Sequence, residues 1–347
     1  MPFWQKAWKH EAVMKDYKPK KRLEAQQYVE GILRGDRVLL SRAITVVESS
    51  LESDKVLAKQ ILHAILPKSG RSIRIGVTGV PGVGKSTFIE AFGKHLIGIG
   101  HSVAILSIDP SSQLTRGSIL GDKTRMEELA NMPQAYIRPS ASGDTLGGVA
   151  NKTGEAMLLC EAAGYDVLIV ETVGVGQSET AVHGMTDFFL LLMLAGAGDE
   201  LQGIKKGIME MADMVVINKA DGDNVRKSEL ARKQYENALH IFPEQDSGWI
   251  PVVRTASSIE NRGIDEVWEQ VLRYKALVES NGYFQTNRRE QQVQWMYSNI
   301  HEGLKRLFYA SEGIREQLRS LEEEVTASRI SPVEAAERIL EAFRKSL

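Results

Sequence analysis

The sequence predicts an α/β fold: a mostly parallel central sheet flanked by helices, with a helical extension at each end. Three observations carry this. Between residues 71 and 262, short apolar runs alternate with helical stretches. Those runs are unbroken, as expected of strands buried on both faces of a parallel sheet. On either side, over 1–70 and 263–347, apolar residues recur at three- and four-residue steps.

The N-terminal region, 1–70, reads as helix. Leu40, Ala43, Ile44 and Val47 form one apolar face, and Ala58, Ile61, Leu62 and Ile65 another. PKSG (67–70) closes the region with turn residues, and the basic run KPKKR (18–22) reads as a solvated surface. The expected strands follow: IRIGV (73–77), VAILSI (103–108), DVLIV (166–170), FFLLLML (188–194), MVVIN (214–218) and IPVV (250–253). From 263 onward the chain returns to helix. Val293, Met296, Tyr297, Ile300, Leu304, Leu307 and Phe308 make a long stripe that Ile314, Leu318, Leu321 and Val325 continue. Packing within the chain and a dimer seam both fit that spacing. SPVE (331–334) is a helix start, with a Ser cap, Pro at the first position and Glu reaching back.

Composition excludes several classes. Of 347 residues, 43% are hydrophobic and 25% charged, and the net charge of −2 gives no drive toward nucleic acid or anionic membrane. Cys160 is the single cysteine, so no intrachain disulfide forms and a reducing, cytoplasmic setting is expected. The N-terminus carries charges throughout and lacks the apolar core of a secretory signal. The most apolar stretch, FFLLLMLAGAG (188–198), falls short of the roughly 20 residues of a membrane span.

Residues 79–86 read GVPGVGKS and fit G-x-x-x-x-G-K-[ST] at Gly79, Gly84, Lys85 and Ser86. The stretch follows a predicted strand and precedes the helical run TFIEAFGKHL, the context this motif needs. The fold is thereby refined to a P-loop NTPase. Gly79, Gly82 and Gly84 let backbone N–H groups turn inward around phosphate. The cradle runs through Val83 to Thr87 at a helix N-terminus. Lys85 is placed to neutralise the β- and γ-phosphates, and the Ser86 hydroxyl to bind Mg²⁺.

The base reader is expected downstream. NKAD (218–221) follows the strand MVVIN, which places Asn218, Lys219 and Asp221 at a strand C-terminal edge. A carboxylate only accepts hydrogen bonds. Guanine offers N1–H and N2–H₂ side by side, whereas adenine would leave Asp221 unpaired, a mismatch that rejects analogues strongly. TASS (255–258) is expected to add backbone N–H contacts to the guanine oxygen through Ala256 and Ser257.

Three carboxylates qualify as neighbours of the metal: Asp109 and Glu171 at strand ends, and Asp122 in LTRGSILGDKTRM. The segment Glu171-Thr-Val-Gly174 is similar to the D-x-x-G switch of GTPases, with Glu in place of Asp and Gly174 as the γ-phosphate donor. Val175 stands where Ras-like enzymes place a water-orienting Gln, which predicts slow intrinsic hydrolysis stimulated by a partner. Gln177 is a candidate substitute. GAGDELQGIKKG (196–207) reads either as a solvated loop or as a third nucleotide-sensing loop.

Taken in order, GVTGVPGVGKST, SIDPSS, LGDKTRM, ETVGVGQSE, AGAGDELQGIKKG and NKAD closely resemble the MeaB/ArgK family of P-loop GTPases. The resemblance covers about residues 30–262, and ILRGDRVLLSRAITVVE belongs to it. It implies a chaperone of the adenosylcobalamin-dependent methylmalonyl-CoA mutase, in which GTP binding and hydrolysis gate cofactor loading and protect the mutase from inactivation. Cobalamin would be met only through that partner. By matching position, the resemblance puts Lys85 and Ser86 on phosphate and Mg²⁺, with Asp109, Asp122 and Glu171 around the metal. It makes 196–207 a third switch with Lys205 relaying the partner's stimulation, and 263–347 a homodimerising extension. The competing readings are a transport-associated kinase acting on an arginine/ornithine binding protein, a metal-insertion GTPase, and a non-catalytic GTP-binding adaptor. Scattered His10, His63, His95, His101, His183, His240 and His301 and the lone Cys160 speak against the metal-insertion class.

Overall fold

The computed structural model describes residues 22–108, 126–139, 145–172, 178–196 and 206–346, except the side chains of Lys206 and Glu312. Three helices come first: α1 (Ala25–Leu33), α2 (Arg37–Glu48) and α3 (Glu52–Ile65). The sheet region then runs β1 (Ile73–Gly79), α4 (Lys85–Gly98), β2 (Val103–Ile108), α5 (Glu127–Ala130), β3 (Ala135–Arg138), α6 (Leu146–Ala162) and β4 (Val167–Thr172). It continues with α7 (Ser178–His183), β5 (Phe188–Leu194), α8 (Lys206–Glu210), β6 (Met214–Asn218), α9 (Val225–Leu239) and β7 (Val252–Thr255). Four helices close the chain: α10 (Ile264–Ser280), α11 (Tyr283–Ala310), α12 (Glu312–Thr326) and α13 (Pro332–Ser346).

The seven described strands form one sheet in the order β3-β2-β4-β1-β5-β6-β7. Every pairing is parallel, with β1 between β4 and β5. Successive strand residues go to opposite faces. Ile75, Val77, Ile105, Ile169, Leu190 and Leu192 join Phe88 and Phe92 of α4 and Val271 of α10 in one core. Ala104, Leu106, Leu168, Val170 and Phe189 face the other way, against Tyr28, Ile44 and Ile61 of the N-terminal helices. Leu191, Met193, Val215 and Ile217 pack on Ala231 and Tyr235 of α9. This burial on both faces is why the strands read as unbroken apolar runs. Each buried large aliphatic or aromatic side chain contributes about 1.5–3 kcal/mol.

Local signals set the element boundaries. Asp36 caps α2, its carboxylate accepting from Val38 N and Leu39 N. Ser331 caps α13 by accepting from Glu334 N at 3.1 Å. Glu334 does not reach back to its cap as expected; Arg338 takes its carboxylate at 2.6 Å. The edge strand β3 is not among the expected strands. Its AYIR run has four residues, pairs among the described strands only with β2, and carries a polar ring and a cation. Arg22, at the end of the basic run, makes an ion pair with buried Asp54 at 2.7 Å, where a solvated side chain was expected. Cys160 is fully buried, and burial pushes its thiol up, away from the reactive thiolate.

The C-terminal helices join the sheet through a buried ionic cluster. Arg288 of α11 donates to both oxygens of Asp187 and, at 2.8 Å, to Ser72 O. Glu161 of α6 accepts from Arg74 at 2.9 Å and from Ser72 Oγ at 2.5 Å. Farther along α11, Val293, Met296, Tyr297, Ile300, Leu304 and Leu307 are 46–59% exposed, so the described residues leave this part of the predicted stripe uncovered, whereas Phe308 packs against Phe343 of α13.

Asp213, just before β6, yields a stability prediction. Burial and the nearby Asp187 charge push its carboxyl up to about 8, above the roughly 3.9 of an unfolded chain. Between those values the folded state holds a proton that the unfolded state has lost. Stability therefore falls as pH rises across this window and levels out above about 8. Asp213→Asn is expected to flatten that slope, which urea unfolding at about pH 5 and about pH 8 will read.

Candidate nucleotide site

The site is assembled at the C-terminal ends of β1, β4 and β6. Beyond β1 the chain makes a glycine-dependent loop. Gly82 and Gly84 have φ of 77° and 89°, left-handed values that favour glycine. A Cβ on Gly79 would lie 2.5 Å from Leu192 O, so the loop leaves the sheet by passing close over β5. Gly84 is the N-cap of α4 and offers no side-chain cap. The first-turn N–H groups of α4 are thereby left to an anion. Lys85 Nζ donates to Gly79 O at 2.9 Å, folded over the loop. Burial pulls its pKa below the usual lysine value, and the charges of Glu171 and Glu179 oppose that shift. Thr87 is exposed at the helix start.

Glu171, next to last in β4, lies beside Val77 of β1 and Ser107 of β2 and is 4% exposed. A hydrogen bond of 2.9 Å between Thr78 and Thr172 ties the two strand ends together. Glu171 Oε1 lies 3.5 Å from Ser86 Oγ. A carboxylate and a hydroxyl facing each other beside a phosphate cradle are the hard oxygen donors that Mg²⁺ takes, so these two residues fit the ion. Among the described residues no three His, Cys, Asp or Glu side chains form a metal cage. Asp109, Asp122, Gly174, Gln177 and Lys205 lie outside the described residues.

The NKAD segment does more than the sequence indicated. Asn218 Nδ2 donates to Val83 O at 2.9 Å, and Lys219 Nζ to Gly82 O at 2.8 Å. Both side chains therefore brace the glycine loop, and Asp221 is the NKAD side chain that makes no contact with it. Lys219 sits at φ 58°, uncommon for a non-glycine residue. Asn224 holds it there by donating to its carbonyl at 2.8 Å.

Asp221 Oδ2 accepts from Ser257 Oγ at 2.7 Å, and Ser258 Oγ donates to Asn218 Oδ1 at 3.1 Å. The TASS segment thus orients the Asp221 and Asn218 side chains through its hydroxyls. Its expected N–H contacts are engaged elsewhere: Ala256 N donates to Ile217 O and Ser257 N to Arg262 O, each at 2.9 Å. Sequence reasoning also passed over Glu179, which is buried at the start of α7 and acts electrostatically on Lys85. Its place in ETVGVGQSE, eight residues after Glu171, was the available signal.

Asn218→Ala removes the buried brace and leaves Val83 O without that donor. Unfolding free energy is expected to fall by about 1–3 kcal/mol. Nucleotide affinity should fall with no change in the ratio of guanine to adenine binding, and calorimetry with both nucleotides checks this.

The family model described as methylmalonyl Co-A mutase-associated GTPase MeaB matches residues 40–312. A putative GTPase of Caulobacter vibrioides is 50% identical, with 90% of this chain and 95% of that one covered. The GTPase ArgK of Escherichia coli is 48% identical over 88% and 92% of the two chains. The mitochondrial methylmalonic aciduria type A homolog of Mus musculus is 41% identical over 96% and 84%. Among solved structures, that of an LAO/AO transport system kinase superposes with a TM-score of 0.73 and 40% identity, covering 94% of this chain and 100% of the other. A family match across most of its length, with relatives about half identical over most of both chains, shows that the chain belongs to the MeaB family of GTPases.

Proposed function

We propose that this protein hydrolyses GTP to GDP and phosphate as a chaperone of methylmalonyl-CoA mutase, gating adenosylcobalamin loading and protecting the mutase from inactivation. The observation that carries the nucleotide part is the bracing of NKAD onto the phosphate loop, with Asp221 oriented by Ser257. Purine and phosphate readers then form one rigid unit. The mutase assignment draws on the family description and on the names of the mitochondrial relatives.

In this reading the α4 N-terminus and Lys85 hold the β- and γ-phosphates, and Lys85 exchanges its Gly79 carbonyl partner for phosphate oxygen. Ser86 and Glu171 hold Mg²⁺, joined by Asp109 and Asp122; the ion neutralises charge on the phosphates. Gly174 senses the γ-phosphate, Gln177 substitutes for the missing water-orienting Gln, and Lys205 in the 196–207 switch relays the partner's stimulation. Val175 in place of a water-orienting Gln makes the basal rate slow. The protein works in the cytoplasm, and among the described residues no helix is long and apolar enough to cross a membrane. Residues 1–70, 71–262 and 263–347 act as an N-terminal helical region, the GTPase domain and a dimerising extension. Two copies pair through the uncovered stripe of α11.

Adding the purified mutase is expected to raise GTP turnover several-fold; an unchanged rate with no complex by gel filtration would remove the partner assignment. Lys85→Ala should lose most nucleotide affinity, on the order of 2–3 kcal/mol, and Asp221→Asn should lose discrimination against ATP. The kinase reading predicts phosphate transfer to a binding protein instead, which labelled nucleotide will reveal.

The dimer has its own check. Ile300→Glu combined with Leu304→Glu places charge on the uncovered stripe. Light scattering is expected to show the parent at twice the chain mass and the double variant at the mass of one chain, with an unchanged far-UV spectrum.

A further inference from the structure

At the end of the sheet opposite the phosphate loop lies a cavity of about 340 Å³, bounded by the N-terminal ends of β5 and β6 and by α10 and α11. Its wall is rich in carboxylates: Asp187, Glu210, Asp213, Glu244 and Asp246. Asp187 is neutralised by Arg288, which holds both of its oxygens. Asp213 is not. It is 7% exposed, its Oδ2 accepts from Phe189 N at 2.7 Å, and among the described residues no cation pairs with it. Burial without a counter-charge is what drives its carboxyl upward.

A second observation points the same way. Tyr274 lines this cavity and is 3% exposed, yet its hydroxyl makes no hydrogen bond among the described residues. Its ring is fixed edge-on against Phe188 and Trp249, at centroid distances of 5.1 and 5.6 Å. The phenol lies in the field of Asp213, Asp187 and Tyr283. Held by a side chain that is otherwise buried, a hydroxyl that lines the cavity without a protein partner is free to bond to a ligand there. The same wall carries the rings of Tyr283, Phe242 and Phe189.

Carboxylates interleaved with aromatic rings favour an organic cation, whose charge meets the acids while its carbon skeleton lies on the rings. No three metal-ligating side chains come together among the described residues, which argues against a bare metal ion. The volume lies within the range of small-molecule pockets. We propose that this cavity binds a small aliphatic amine or guanidine, with its cationic head between Asp213 and the Tyr274 hydroxyl. The site is independent of the nucleotide assignment: none of these residues takes part in the phosphate loop or NKAD contacts.

Titration calorimetry of the full chain at about pH 8.5, above the value to which burial pushes Asp213, tests this with putrescine and agmatine as probes and butane-1,4-diol as the uncharged control. Saturable binding of at least one amine at one site per chain is expected, with none for the diol. Asp213→Asn preserves size and an acceptor for Phe189 N, and Tyr274→Phe removes only the hydroxyl. Each should weaken binding by about tenfold or more, while unfolding curves show the variants folded. The proposal is overturned by absence of saturation with both amines up to about 10 mM, by equal binding of the diol, or by unchanged affinity in Asp213→Asn.

Discussion

Two side-chain donors, Asn218 Nδ2 and Lys219 Nζ, grip the consecutive carbonyls of Val83 and Gly82, and the site depends on that grip. A loop with glycines at left-handed φ has many conformations to lose. Across a trans peptide the carbonyl and the following N–H point in opposite directions. Pinning Val83 O toward β6 therefore sends the Gly84 N–H to the other side, where α4 begins. The NKAD segment thus also sets the direction of an amide at the start of α4. Asn218 is buried at the strand end and Ser258 holds its other polar atom, so the brace is itself fixed.

Most of the sheet was legible because its chemistry is uniform. A parallel strand with both faces buried has no reason to alternate. Runs such as VAILSI and FFLLLML are too short for a buried helix and too apolar for a solvated one. The strand that this rule does not cover is β3. At the edge it pairs on one side only, and four residues with Tyr136 and Arg138 among them make no apolar run. The phosphate loop was legible because its glycines, lysine and serine are required by backbone geometry and by charge. The roles of Asn218, Ala256 and Ser257 were not, because they depend on distances across the sheet edge that no local pattern encodes. Glu179 was hidden for the same reason: its effect on Lys85 exists only once α7 is folded beside the loop.

Charge is distributed differently at the two ends of the sheet. At the C-terminal end, donors and a helix terminus await an anion. At the other end, Arg74, Glu161, Asp187 and Arg288 neutralise one another out of water. Such a cluster adds little net stability over an apolar core, but losing one member leaves a buried charge exposed to its full desolvation cost, about 3–5 kcal/mol. Its effect is therefore one of placement. Arg288 is the member contributed by α11, and its guanidinium can satisfy Asp187 and Ser72 O together in only one position of that helix. Gln291, one turn farther on, adds a bond of 2.7 Å to Thr186 O. A 28-residue helix fixed so firmly at its start carries its apolar stripe at a set angle to the sheet. Whatever seats on that stripe is thereby oriented relative to β1, because Arg288 bonds to the carbonyl of Ser72, the residue just before that strand.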